Sequence, residues 1–305
     1  MTIRAEVVAD SVSPQGIRLA TLQLRYPKFI HGEFMTHRVF SRNASSSRAI
    51  PVERLIKDVQ DDPIYPSHWG KNQRGMQAND ENNACVPVYG WGGGTDRSNR
   101  DAWLLARDNA VKAAQAFAEA GYHKQIVNRL LEPFCHINVV VTATEWSNFF
   151  ALRCHPDAQP EMRLLAEAMR VALAKSTPRA LEPGEWHLPY CPDVHGKPAG
   201  LPGEFKSDDA IKVSVARCAR VSYWTQDGRW PTIAEDLALY DRLVSAVPLH
   251  ASPAEHQATP DRTAGRLVGV VGMLNLDGEV WVNPHLHGNF RGWVQHRKTL
   301  PGECQ

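Results

Sequence analysis

What constrains this chain most is its opening stretch, MTIRAEVVADSVSPQGIRLATLQL, in which apolar and polar residues alternate on both sides of Ser13-Pro14-Gln15-Gly16. A period of two marks half-buried strands, and a Pro/Gly turn between two such runs marks a hairpin, so the chain opens as a strand pair. A further β-like run, INVVVTAT, lies at 137–144. Elsewhere the apolar spacing turns helical. Pro27 to Phe40, Val52 to Gln60, the segment HKQIVNRLLEPF, Glu161 to Ala174, the run DDAIKVSVARCARVSYW and Thr232 to Val247 all read as helices. Another holds Trp103, Ala106, Ala110, Ala113 and Phe117 at helical spacing, with Ser98 as N-cap and Gly121 as stop, and that stripe is expected in the core. A last strand pair is expected around Asn275 to Gly278. The fold class is α+β, a small antiparallel sheet with long helices.

Two stretches interrupt this pattern. Asp61 to Thr95 is rich in Pro, Asn and Gly and reads as a long excursion or lid. Pro178 to Gly203 is equally rich in breakers and gives the best internal boundary, dividing residues 1–195 from residues 196–305, the two packed as one domain. At 305 residues and 43% hydrophobic content the chain can bury a proper core. Lys plus Arg number 34 against 33 for Asp plus Glu, so no overall field recruits nucleic acid or an anionic membrane, and any basic site must be local. No apolar run approaches the roughly 18 residues of a membrane helix, and the N-terminus lacks the design of a secretion signal. The six cysteines show no CxxC spacing, which fits reduced thiols in a cytoplasm better than disulfides or a zinc knuckle.

Chemistry concentrates in FMTHRVFSRNASSSRAIP, Phe34 to Pro51. Arg38 and Arg48 lie here, and Arg129 and Arg153 lie in similarly apolar or tightly structured segments. An arginine is always charged and its planar fork matches phosphate or carboxylate, so partly buried arginines call for anionic partners. For Arg129 and Arg153 those partners are either a ligand or the nearby Glu132 and Glu145. The run SRNASSSR adds hydroxyls and turn amides beside Arg48, the ingredients of a phosphate nest. HASPAEH, His250 to His256, reads either as a capped turn or as a metal pair, but its spacing is not a zinc arrangement and a third ligand is lacking, so no metal is expected. GWGGGT has neither the Lys-Ser/Thr of a phosphate loop nor a strand feeding it. Cys191 and Cys218 have basic neighbours but no adjacent base, and read as structural.

Thr36 to Arg48, THRVFSRNASSSR, resembles the signature Arg-His-Arg-x-x-Ser-x-Asn-Glu-x-Ser-x-Arg of the flavin-dependent thymidylate synthases (ThyX). NRLLEP resembles the family's Arg-x-x-Leu-Pro, and NFFALRCHPDAQPE its Asn-Phe-Leu-x-Leu-Arg and Ala-Gln-x-Glu. ARCARVSY and HASPAEH resemble its Ala-Arg-Val-Ser and His-x-Thr/Ser-Pro-Phe-Glu-His segments, which in the family precede the signature and here follow it. The resemblance therefore implies a ThyX-like fold with its segments in circularly permuted order. It implies FAD as cofactor, NADPH as reductant, 5,10-methylenetetrahydrofolate as carbon donor, a pyrimidine deoxynucleotide monophosphate (dUMP or dCMP) as substrate, and a homotetramer whose active sites are shared between subunits. It assigns His37, Arg38, Asn43, Asn148, Ser222, His250, Ser252 and Glu255 to the flavin. To the nucleotide it assigns Glu33, Ser46, Arg48, Arg129 and Arg153, with Arg153 and Ser46 closest to the chemistry.

The departures from that signature are specific. Thr36 replaces its first Arg, Ala44 its Glu, Glu33 a common Gln, and Ala254 a bulky aromatic. Moving a carboxylate from 44 to 33 rearranges the acceptors around the base, which leaves uracil and cytosine both open. A near-copy of the signature, NFRGWVQHRK, carries Gln295-His296-Arg297 and competes with Thr36-His37-Arg38. The implied activity is a thymidylate synthase. A dUMP or dCMP hydroxymethylase and a non-catalytic flavin- or nucleotide-binding relative are its rivals.

Overall fold

Strands β1 (Arg4–Val12) and β2 (Arg18–Pro27) pair antiparallel as the alternation requires. Gly16 closes their turn at φ +75°, a left-handed conformation that a side chain resists. The computed structural model describes residues 2–90, 93–191, 193–194, 197–198, 207–222, 231–267, 270–271, 274–275 and 278–303. Strand β3 (Ser41–Ala44) follows a short helix α1 (His31–Phe34), and helix α2 (Val52–Asp61) follows β3. Strands β4 (Val86–Gly90) and β5 (Gly93–Arg97) make a separate hairpin. Helices α3 (Asn99–Glu119) and α4 (Lys124–Val127) then lead to strand β6 (His136–Ala143), helices α5 (Ser147–Arg153) and α6 (Pro160–Lys175) and the short strand β7 (Arg179–Ala180). Helices α7 (Ser207–Ala219) and α8 (Ile233–Val244) come last. The class is α+β, as expected.

The main sheet has the order β3-β6-β2-β1-β7, antiparallel except for β7. Its two faces differ, because successive side chains on a strand point to opposite sides. Ala20, Leu22, Leu24 and Tyr26 of β2 and Ile137, Val139, Val141 and Ala143 of β6 form one face, buried under Met162, Leu165, Ala166, Met169 and Leu173 of α6. Those α6 positions recur at helical spacing, and Gln159 caps the helix by accepting from the Met162 N–H at 2.8 Å. The opposite face is polar and carries Thr21, Gln23 and Arg25 of β2 and Asn138 and Thr142 of β6.

On that polar face a buried chain of hydrogen bonds ties the C-terminal region to the sheet. Ser11 Oγ meets His187 Nδ1 at 2.9 Å, His187 Nε2 meets Thr21 Oγ1 at 2.8 Å, Thr21 meets Thr142 at 2.7 Å, and Thr142 meets His256 Nδ1 at 2.8 Å. Burial pushes both histidines down to about 3; for His187 the nearby His256 and Arg179 add to it. Helix α7 packs on α8 through a second polar device. Asp236, fully buried, accepts from Arg217 Nε at 3.1 Å and from Arg220 Nε at 2.9 Å.

Several segments depart from expectation. Pro27 to Phe40 is not one helix: a 3-10 turn over Lys28–Ile30 and α1 end by Phe34, where the Thr36 hydroxyl bonds the Glu33 carbonyl at 2.7 Å and competes with further helix. HKQIVNRLLEPF gives only α4 before a 3-10 helix over Asn128–Phe134, because Pro133 supplies no N–H and restricts its predecessor. In α3, capped by Ser98 as expected, Ala106 and Phe117 are exposed while Val111 and Ala114 are buried against α2 and the 128–134 segment. The buried face includes Arg107, whose guanidinium reaches the Val59 carbonyl at 3.3 Å, so an apolar count skips it. In place of one strand pair around Asn275 to Gly278 there are two, Thr263–Leu267 with Gly278–Trp281 and Val270–Val271 with Leu274–Asn275, and Ala258–Pro260 pairs further on with Trp293–Gln295; residues 268–269, 272–273 and 276–277 lie outside the described residues. Among the described residues no helix is long and apolar enough to cross a membrane.

Candidate functional site

The signature lies along the sheet's edge strand, β3, so residues before it and after it are held at opposite ends. At the leading end Phe34, Phe40, Trp146 and Phe149 pack together, and the His37 ring sits among them, 4.8 Å edge-on to Phe149 and 5.8 Å from Phe40. Arg153, on the last turn of α5, donates from Nε to His37 Nε2 at 2.9 Å and from Nη2 to Thr36 Oγ1 at 3.3 Å. A guanidinium only donates, so His37 Nε2 is an acceptor and the ring is neutral with its proton on Nδ1. Burial lowers the His37 pKa, and Arg153 and Arg42 lower it further. Arg42 was missed by sequence reasoning although it stands inside the motif. Its Nη1 donates to the carbonyls of Met35 at 2.9 Å and His37 at 3.1 Å and fixes the turn that presents His37.

Asn43 joins this end to the C-terminal region. Its amide donates to the Cys218 carbonyl at 2.9 Å and its oxygen lies 3.4 Å from Ser252 Oγ. Glu255, three residues on, pairs with Arg297 of the near-copy, and Gln295 Nε2 bridges the Glu255 carbonyl at 3.0 Å to Ser41 Oγ at 3.2 Å. His296 turns elsewhere, stacked on Tyr240 and edge-on to Trp186, and burial pulls its pKa down to about 4. The near-copy thus buttresses the signature rather than repeating its geometry.

At the trailing end the chain hugs β6. Ser45 exchanges hydrogen bonds with Asn138, its N–H reaching the carbonyl at 2.8 Å and its Oγ receiving the Asn138 N–H at 3.0 Å. Ser46 Oγ accepts from the Arg48 N–H at 3.3 Å, and Ser47 donates to Glu132 at 2.8 Å. Burial alone would raise Glu132, but hydrogen bonds from Lys28 and Ser47 overcome it and hold the carboxyl below its ordinary range. Lys28, not Arg129, is therefore the close partner of Glu132.

Sequence reasoning expected four partly buried arginines. Only Arg153 is half-buried; Arg38, Arg48 and Arg129 are exposed, as is Glu33. Each exposed arginine sits on a turn or 3-10 segment that leaves the surface, so its charge faces outward. Asn148 and His250 are exposed too, and the Ser222 side chain lies outside the described residues. His250 and His256 do not converge, since His256 is buried against Thr142. Cys191 and Cys218 are buried, and burial pushes Cys191 up to about 11 and Cys218 well above its ordinary value, which leaves both thiols inert.

A model of the family described as thymidylate synthase complementing protein matches residues 11–179, more than half of the chain. The chain belongs to this family. The matched stretch of this flavin-dependent enzyme family contains Thr36 to Arg48, Arg129, Asn148 and Arg153, while Ser252 and Glu255 lie beyond it and reach β3 by packing. No curated protein gives a significant match. Among solved structures the chain is similar to the UMP/dUMP methylase PolB from Streptomyces cacaoi bound with 5-Br dUMP, at 18% identity and a TM-score of 0.42, over 57% of this chain and 90% of that one. It is also similar to the flavin-dependent thymidylate synthase ThyX from Helicobacter pylori complexed with FAD and dUMP, at 13% identity and a TM-score of 0.37, over 51% of this chain and 67% of that one.

Proposed function

We propose that the protein transfers a one-carbon unit from 5,10-methylenetetrahydrofolate to C5 of dUMP, giving dTMP, with FAD as cofactor and NADPH as reductant, in a cytoplasm. One observation carries this reading: Arg153 is fixed by His37 and Thr36 inside the stretch matched by the family. The donor set is right for a flavin, since His37, Asn43 and Ser252 bring an imidazole, an amide and a hydroxyl to one strand, with Arg38 exposed beside them. A bound flavin would supply the hydride, and the protein supplies position and charge.

Arg153 is the group we assign to the reacting base. Two of its nitrogens are engaged by His37 and Thr36, which orients the guanidinium without neutralising it. A neutral His37 leaves the positive charge of Arg153 free to favour negative charge building on a pyrimidine carbonyl as C5 becomes nucleophilic. Ser46, Arg48 and Arg129 are assigned to the nucleotide phosphate. Along the signature, strand β3, about 10 Å long at about 3.3 Å per residue, stands between them and the His37 end that holds Arg153, a span one nucleotide can bridge from base to phosphate. A homotetramer with sites shared between subunits is part of this reading. The bonds from Asn43 to Cys218 and Ser252 support the permuted order of segments, with residues 1–195 and 196–305 packed as one domain.

Thr36 favours a second reading. It accepts from Arg153 where the family signature has an arginine, and Glu33 and Ala44 alter the local acceptors. A hydroxymethylase acting on dUMP or dCMP would fit that change. Mass spectrometry of the nucleotide after anaerobic incubation with FAD, NADPH, methylenetetrahydrofolate, dUMP and dCMP decides between them. Methylated dUMP is the expected product, a hydroxymethyl group on either base establishes the second reading, and no product with any combination refutes both.

A further inference from the structure

The polar face of the sheet holds a cavity of about 950 Å³ that none of the signature's assigned residues lines. Its charges are unevenly spent. Arg4 of β1 and Arg25 of β2 stand directly opposite each other across the hairpin, a like-charge pairing that costs stability unless anions neutralise it. Asp58 at 2.9 Å and Asp62 at 3.2 Å neutralise Arg25. Among the described residues the side chain of neither Arg4 nor Arg54, on the facing helix α2, has a hydrogen-bond or ion-pair partner. Glu6, two residues beyond Arg4 on the same wall, has none either.

His136 adds an independent sign of a ligand. It lines the cavity, its residue is only 6% exposed, and among the described residues neither ring nitrogen has a hydrogen-bond partner. An Asp62 carboxylate oxygen stands 3.6 Å from Nε2, beyond hydrogen-bond reach. A buried polar ring left unbonded is costly, and such groups in native proteins are explained by something that completes them. The wall is also strained: Tyr190 adopts φ +59°, unusual for a bulky residue, and aims its hydroxyl at Gln23.

These features define the occupant's chemistry. Two uncommitted guanidiniums suit a phosphate, and the Asn138 amide, in the same row of the sheet as Arg4 and Arg25, suits a ring bearing an amino group. The volume lies within the range of small-molecule sites. We propose that this cavity is a second ligand site, distinct from the one on the signature, and that it takes a nucleoside phosphate, with the phosphate on Arg4 and Arg54 and the base toward Asn138 and His136. Asn138 is bonded through its backbone to Ser45, next to Ser46, so the site backs directly onto the signature's trailing loop.

The test is calorimetric titration of the full chain with AMP, dCMP, dUMP, ATP and inorganic phosphate. It uses wild type, Arg4→Ala, Arg54→Ala and an Arg48→Ala/Arg153→Ala double variant that disables the signature site. Arg4 is exposed and Arg54 half-exposed, so both alanine variants keep the fold. The expected result is a nucleoside phosphate that binds wild type and the double variant equally and loses at least tenfold in affinity with Arg4→Ala or Arg54→Ala. Three results overturn the proposal: no nucleoside phosphate binds the double variant, the Arg4 and Arg54 variants bind as wild type does, or inorganic phosphate binds as tightly as any nucleotide. Product formation by wild type is measured separately, so a failure of this site and a failure of the thymidylate synthase reading are told apart.

Discussion

The buried relay from Ser11 to His256 should make the fold sensitive to acid, and the effect can be worked out. His187 and His256 are held neutral, their pKa values pushed down to about 3 by burial, against an ordinary value of 6.5. Below pH 6.5 the unfolded chain takes up protons at these rings and the folded chain does not, so stability is full above pH 6.5 and falls as the pH drops toward about 3. At pH 5 each ring has lost about 1.5 pH units of linkage at about 1.36 kcal/mol per unit, or about 2 kcal/mol. Together they remove about 4 kcal/mol from a total that is ordinarily about 5–15 kcal/mol. His136, pushed to about 3, and His296, to about 4, act in the same direction, so the test must isolate the relay. Urea unfolding at pH 7.5 and pH 5.0, for wild type and for His187→Gln and His256→Gln, does so. Each variant should be less stable at pH 7.5, yet lose about 2 kcal/mol less than wild type on acidification. A variant that loses as much as wild type between the two pH values would falsify the reasoning, because its ring could not then have been kept neutral by the fold.

Other perturbations probe the site and the frame. Arg153→Lys should lower turnover about a hundredfold, close to Arg153→Ala, because an ammonium cannot hold His37 and Thr36 in one fork; steady-state rates near wild type would remove Arg153 from the chemistry. Asp236→Ala strands Arg217 and Arg220 and should cost about 3–5 kcal/mol, read as a fall in urea midpoint, whereas a loss under about 1 kcal/mol would mean the two arginines find other partners. Ser98→Ala removes the cap that accepts from the Asp101 N–H and should cost about 1 kcal/mol, with Ser98→Asp near neutral in the same assay.

Local chemistry was legible in the sequence and long-range partnership was not. The hairpin could be read because Pro, Gly and a period of two act within a few residues, and the capping of α3 because Ser98 and Asp101 are neighbours in sequence. Arg38, Arg48 and Arg129 misled because apolar neighbours in sequence do not bury a side chain; burial depends on which face of the turn meets the core, and theirs meets solvent. Arg153 was recognisable by resemblance, but its anchor, His37, lies 116 residues away and only the packing of α5 on the aromatic cluster brings the pair together. His256 shows the limit most clearly. By spacing it belongs with His250, yet the fold gives it to Thr142, because β6 needs a neutral acceptor or donor opposite each buried hydroxyl of its polar face. The same requirement applies to His136 at the other end of β6, where no described residue hydrogen-bonds either ring nitrogen. One strand therefore carries a threonine whose histidine partner comes from a distant segment, and a histidine that lines the cavity proposed as a second ligand site.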